Sequence, residues 1–165
     1  DGLVMGTRCG SVDASAVTYI GEKEGMTYAE LNEMMNKRSG VLGLTGLSSD
    51  MRDIDRAYDE GNPEAILARD MHYRRIKKFV GEYAAEMGGV DLIVFTGGVG
   101  ENSSEMRESV CEGLEFMGVH FDKAANQGAR GVNKMLSTPD SKVKVAMIAT
   151  NEELVIATDT YNLVK

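Results

Sequence analysis

The spacing of apolar positions changes period several times along the chain, and each change predicts an element. Asp13 stands ahead of Ala14 to Gly21, and Thr27-Tyr28-Ala29-Glu30 has capping-box spacing ahead of Leu31, Met34 and Met35. Two short helices are predicted, the second stopped by Ser39-Gly40. Gly43 to Ser49 reads as a loop, after which Ser49 or Asp50 caps a helix running to Glu60, where Gly61 ends it. Asn62-Pro63 is a cap followed by proline at the first helical position. Ile66, Met71, Tyr73, Ile76, Phe79, Val80 and Tyr83 then mark an amphipathic helix of about 25 residues, terminated by Gly88-Gly89.

Beyond that helix the period shortens. Asp91 to Thr96 is an apolar run bounded by glycines, too short for a helix and rich in β-formers, and it reads as a buried strand. A glycine-rich loop and a helix from Ser104 to Met117 come next. Lys142 to Ala149 alternates and then becomes wholly apolar, as a strand entering the centre of a sheet does, and a helix from Asn151 to Leu163 succeeds it. Gly118 to Phe121 and Met135-Leu136 are weaker strand candidates, and Gly2 to Met5 reads as a strand in mid-course. Strand, loop and helix in alternation predict an α/β fold.

Composition narrows the class. With 165 residues, 42% of them hydrophobic and 27% charged, the chain can bury one core, and its length predicts a single domain spanning 1–165. The net charge of -8 argues against a nucleic-acid partner, since phosphate backbones are bound by clustered Lys and Arg. No apolar run approaches the roughly 18 to 20 residues that span a bilayer, and nothing at the amino end reads as a signal peptide, so a cytoplasmic protein without a membrane partner is expected. Cys9 and Cys111 lack metal or disulfide spacing, and His72 and His120 are isolated. The chain starts with Asp1 inside an apparent strand, which predicts that it is part of a longer polypeptide.

Four segments carry candidate chemistry. The first is Thr96-Gly97-Gly98-Val99-Gly100-Glu101-Asn102-Ser103, between a strand and a helix, where glycines permit close backbone approach and a helix amino end attracts phosphate. A tight turn explains the same glycines. A P-loop does not, because no Lys stands between Gly97 and Ser109. Gly98-x-Gly100-x-x-Ser103, with Asp122 downstream, approximates a dinucleotide fingerprint, weakened by Ser103 in place of glycine and by a Glu101 carboxylate that would repel a pyrophosphate. The second is Ser49-Asp50-Met51-Arg52-Asp53: Asp50 can accept from a ribose hydroxyl and Arg52 can stack on a base or meet a phosphate, or the two are simply an N-cap and a solvated helix residue. The third is Thr150-Asn151-Glu152-Glu153. With Thr150 as cap and Glu153 at the box position, Glu152 is left to hold Mg²⁺, although the helix dipole alone also favours two acids there. The fourth is Arg8 between glycines in Gly6-Thr7-Arg8-Cys9-Gly10, a guanidinium that can enter a cleft or lie on the surface.

Taken in order, these segments resemble the second half of the acetate kinase family. The likeness runs through Gly2 to Arg8, Ser39 to Gly43, Ser48 to Asp53, Phe95 to Ser103, Gly113 to Gly118 and Thr150 to Leu154. It implies the ribonuclease H-like, actin-like ATPase fold of the acetate and sugar kinase/Hsp70/actin superfamily, a mixed sheet flanked by helices. Position by position, the resemblance gives Arg8 the role of stabilising the transferring phosphoryl group. Asp50, Met51 and Arg52 take the adenosine side, Gly98, Val99, Gly100, Glu101 and Asn102 line the ATP site, and Glu152 helps bind Mg²⁺. The implied reaction is ATP + acetate to acetyl phosphate + ADP, in a homodimer whose amino-terminal domain supplies the rest of the site, so these residues alone are expected to bind nucleotide weakly without turnover. Propionate or other short-chain acyl kinases are near alternatives, and a non-catalytic dimerisation module built on some of the 11 Met residues is another. Ala14 and Gly97 depart from the family pattern, where Pro and Ala are usual.

Overall fold

Most of the helix starts are fixed by caps that close within a few residues. In the computed structural model, which describes residues 2–165, the Asp13 carboxylate accepts from the N–H groups of Ser15 and Ala16 at 2.8 and 3.1 Å and starts α1 (Ala14–Lys23). Thr27 and Glu30 form a reciprocal capping box on α2 (Tyr28–Lys37). Asp50 caps α4 (Met51–Asp59), and Asn62 Oδ1 accepts from Ala65 N–H at 2.8 Å at the head of α5 (Pro63–Glu86).

Between them lies α3 (Gly40–Thr45), where a loop was expected from Gly43 onward. Its glycines serve contact rather than looseness. A Cβ at Gly43 would stand 2.8 Å from the Arg38 carbonyl oxygen, and one at Gly40, whose φ is +63°, would strike the carbonyl of Met5. The chain divides into two compact units, one ending at Phe79 and one beginning at Val80. The first has its core at Val4, Val41, Ile54, Ala65 and Ala68, with Leu44, Met51 and Ala57 packed against it. Gly2 to Met5 is not a strand. Its carbonyls are taken by a loop, a helix and a side chain: Gly2 O accepts from Ser11 N–H at 3.0 Å, Met5 O from Val41 N–H of α3 at 2.9 Å, and Val4 O lies 2.7 Å from His72 Nδ1.

The second unit is α/β. After the end of α5 come β1 (Leu92–Phe95), α6 (Gly97–Asn102), α7 (Ser104–Cys111), a 3-10 turn at Glu115–Met117, α8 (Lys123–Asn126), β2 (Lys134–Met135), β3 (Lys144–Met147) and α9 (Glu152–Val164). The helix expected from Ser104 to Met117 breaks because Gly113 turns left-handed at φ +74°. The sheet is mixed, in the order β1-β3-β2, with β1 parallel to β3 and β2 antiparallel to it. Val119 and Phe121 make only single bridges, to Val143 and Ser137. Ile93, Phe95, Val145, Ala146 and Met147 are buried, and Met106, Val110 and Cys111 of α7 join them in this unit's core. No helix among the described residues is long and apolar enough to cross a membrane.

Candidate functional site

Parallel pairing of β1 and β3, with Phe95 opposite Met147, sets the exits of the two strands side by side. Ile148 N–H donates to Phe95 O at 2.9 Å across that edge. The chain leaving β1 does not form the open loop expected from three glycines: Gly97 turns in at φ +69° and the segment winds into α6. Glycine disfavours helix by about 1 kcal/mol relative to alanine, so α6 needs other support. Glu101 Oε1 accepts from Gly97 N–H at 2.8 Å, and Asn102 Nδ2 donates to Gly98 O at 2.7 Å while its Oδ1 accepts from Arg130 Nε at 2.8 Å.

The glycines differ in what they are for. A Cβ at Gly100 would stand 3.2 Å from the Phe95 carbonyl carbon, so that residue lets the helix lie on the strand end. Gly98 has no such reason, for its φ is not left-handed and a Cβ there would meet nothing within 4 Å. Open space above a residue that weakens its helix is what close approach of a ligand requires.

Glu101 reaches beyond its own helix. The same Oε1 accepts from Thr150 N–H at 2.8 Å and from Thr150 Oγ1 at 2.9 Å, in the segment leaving β3. These Thr150 bonds, backbone then hydroxyl, hold the carboxyl below its ordinary pKa, with Gly97 N–H adding to them against the opposing effect of burial. One oxygen of the carboxylate expected to repel a phosphate is therefore engaged within the protein. Thr150 is correspondingly not the cap of α9. Asn151 is, its Oδ1 accepting from Leu154 N–H at 3.0 Å, and the box predicted on Thr150 and Glu153 does not form. Glu152 and Glu153 both stand exposed in the first turn of α9.

Beneath α6 lies a residue that sequence reasoning missed. Arg107 has no exposed surface, and its guanidinium donates to Gly100 O at 2.8 Å, Asn126 Oδ1 at 2.8 Å and Ala129 O at 2.7 Å. Burial pushes its pKa down, as expected where all three acceptors are neutral. The available signal was an arginine three and four positions before Val110 and Cys111, on the apolar side of a helix. A cavity of about 460 Å³ opens beside α7 and α8, lined among others by Ser104, Glu108, Lys123 and Gln127; none of the sequence-predicted site residues lines it.

In the first unit, two more predicted segments adjoin. A Cβ at Gly6 would stand 2.6 Å from the Ser49 carbonyl oxygen, so the Gly6 to Arg8 loop lies directly on the residue before the α4 cap. Ser39 N–H donates to Thr7 O at 3.0 Å, and Cys9 N–H to Met35 O at 2.9 Å, which pins the backbone on either side of Arg8 while its side chain is exposed. Asp50 Oδ1 accepts from Arg52 N–H at 2.9 Å. The Arg52 side chain folds back, with Nε 3.0 Å from both carboxylate oxygens and Nη2 in a short ion pair with Oδ2. This partner lowers the Asp50 pKa to about 2. Met51 turns inward onto the core of Val41 and Ile54.

The sequence matches the model of the acetokinase family over residues 1–158. It is 56% identical over its whole length to the acetate kinase of Bacteroides thetaiotaomicron, of which it covers 41%. The crystal structure of Porphyromonas gingivalis acetate kinase superposes with a TM-score of 0.95 at 52% identity, covering all of this chain and 41% of that one. A propionate kinase from Francisella tularensis superposes with a TM-score of 0.84 at 38% identity, covering 95% of this chain and 40% of that one. The chain thus spans about 41% of the length of the curated relatives it matches.

Proposed function

Because the chain belongs to the acetokinase family, we propose that it supplies the nucleotide-binding part of a kinase that transfers the γ-phosphoryl group of ATP to acetate, reversibly, giving acetyl phosphate and ADP. The observation that carries this reading is the joint at the strand exits of β1 and β3. There α6, with open space over Gly98, is bonded through Glu101 to the segment that leads to Glu152.

In this reading an acetate oxygen attacks the γ-phosphorus in line, and the new O–P bond forms as the bond to the β,γ-bridging oxygen breaks, its electron pair leaving with ADP. Little covalent work falls to protein groups in such a transfer, so positioning and charge stabilisation dominate. Gly98, Val99 and Asn102 give the nucleotide an exposed surface it can approach closely, while Gly100 seats that surface on the strand end and Glu101 holds it. Asp50, Met51 and Arg52 take the adenosine side: Met51 anchors the segment in the core, and the Asp50–Arg52 pair offers an acceptor and a planar cation at the surface. Arg8, on a pinned backbone, donates to the oxygens of the transferring group.

Mg²⁺ is implied by the family. Among the described residues no three His, Cys, Asp or Glu side chains gather into a metal cage. Mg²⁺ does not need one, since it keeps several waters and takes one or two carboxylates besides substrate phosphates, and exposed Glu152 fits that role. When bound, the ion neutralises phosphate charge. Propionate is the second reading for the acid, favoured by the likeness to a propionate kinase. A cytoplasmic homodimer belongs to the same reading, as does nucleotide binding without turnover by these 165 residues alone.

Titration calorimetry of the chain with ATP, adenosine and NAD tests the class. ATP binding in preference to NAD is expected, and the reverse order would replace a kinase by a dinucleotide enzyme. Acetyl phosphate formation by the purified chain above a no-protein blank would overturn the claim that the site is incomplete here.

A further inference from the structure

One carboxylate oxygen joins the two functional segments of the second unit. Glu101 Oε1 accepts from Gly97 N–H, which begins α6, and from both donors of Thr150, a residue 49 positions further along the chain. Glu101 is 9% exposed, and its Oε1 is held by these three donors. No cap from Thr96 steadies α6, and Asn151 rather than Thr150 caps α9. Glu101 is therefore the side chain that locks the glycine helix onto the segment carrying Glu152.

We propose that Glu101 is a positioning residue that fixes α6 against Thr150–Glu152, so that a phosphate chain on the first and a divalent cation at Glu152 bind cooperatively. This rests on the nucleotide reading above and deepens it: Glu101 acts through the loops it ties and is not itself a nucleotide ligand. Ordering both segments in one arrangement lets each ligand find the other's half of the site already placed. Coupling of this kind is reciprocal, and typical values amount to roughly 5- to 150-fold in affinity.

The measurement is the ratio of ATP affinity with saturating Mg²⁺ to that in EDTA, obtained by calorimetry on the 165-residue chain and its variants. Wild type is expected to bind ATP more tightly with Mg²⁺. Glu101→Ala and Glu152→Gln should each lower that ratio, and the double variant should lower it no further than the stronger single one, because both break the same coupling. Glu101→Gln, which keeps an acceptor oxygen, should restore part of the ratio. Thr150→Val, which removes one donor and leaves the bond within α6, should cause a smaller loss and covers the case in which Glu101→Ala does not fold. A merely structural role predicts unchanged ratios or losses that add in the double variant, and either result overturns the inference. So does wild-type ATP binding that Mg²⁺ does not strengthen. Failure of the wild-type chain to bind ATP at all overturns the nucleotide reading itself, and this inference with it.

Discussion

Replacing Gly98 by alanine separates what the fold needs from what a ligand needs. Gly98 lies inside α6 with a φ outside the left-handed region, and a Cβ there meets no atom within 4 Å. Alanine loses less backbone entropy than glycine in a helix, so Gly98→Ala should stabilise the protein by about 0.5–1 kcal/mol. If the open space is where a nucleotide approaches, the added methyl overpacks the complex. Overpacking typically costs about 1–3 kcal/mol, which at ~1.4 kcal/mol per tenfold weakens ATP binding roughly 5- to 150-fold. Urea unfolding and ATP calorimetry on the same preparation should therefore move in opposite directions. A Gly98→Ala protein that binds ATP as wild type does would remove the structural basis for placing the nucleotide over α6.

The same geometry makes three more perturbations measurable. Arg107→Met strands three buried acceptors, Gly100 O, Asn126 Oδ1 and Ala129 O, at about 1–3 kcal/mol each at most. Urea unfolding should show a loss of at least ~2 kcal/mol, with Arg107→Lys recovering only part because an ammonium cannot fork to three sites. Carbon-detected NMR should place the Asp50 titration near pH 2, and Arg52→Ala should return it toward the ordinary carboxylate value of about 3.9. The folded value is the lowered one, so the pair's contribution is complete above that ordinary value and disappears as pH falls through 2; exposure of Arg52 keeps it small. Burial lowers the His72 pKa, against opposing effects of the Val4 carbonyl and Asp55, so the unfolded chain takes up a proton first as pH drops below about 6.5. Stability should decline on acidification from about pH 7 to 5, and His72→Asn, which can still donate to Val4 O, should flatten that slope; an unchanged slope would show that His72 is not its source.

Features that rest on neighbours a few residues apart are legible in the amino-acid sequence. Asp13, Thr27 with Glu30, Asp50 and Asn62-Pro63 start helices because each cap closes its hydrogen bonds within three residues. Leu92–Phe95 and Lys144–Met147 are strands because short β-branched and apolar runs suit a sheet, but the first is buried only at Ile93 and Phe95, with Leu92 and Val94 exposed where a wholly buried strand is expected. Family resemblance then picked out Arg8, Asp50, Gly98 and Glu152 without showing what holds any of them. Tertiary structure decided the rest, wherever one residue's partners lie far along the chain. Gly43 belongs to a helix in which the Arg38 carbonyl leaves no room for a Cβ, Gly2 to Met5 is not a strand because its carbonyls bond to Ser11, Val41 and His72, and Arg107 is buried because three oxygens surround it. With Glu153 three residues on, Thr150 has the spacing of a capping box. Parallel pairing of β1 and β3 brings it to Glu101, and two hydrogen bonds to one carboxylate oxygen across 49 residues stand in place of a capping box that spans three.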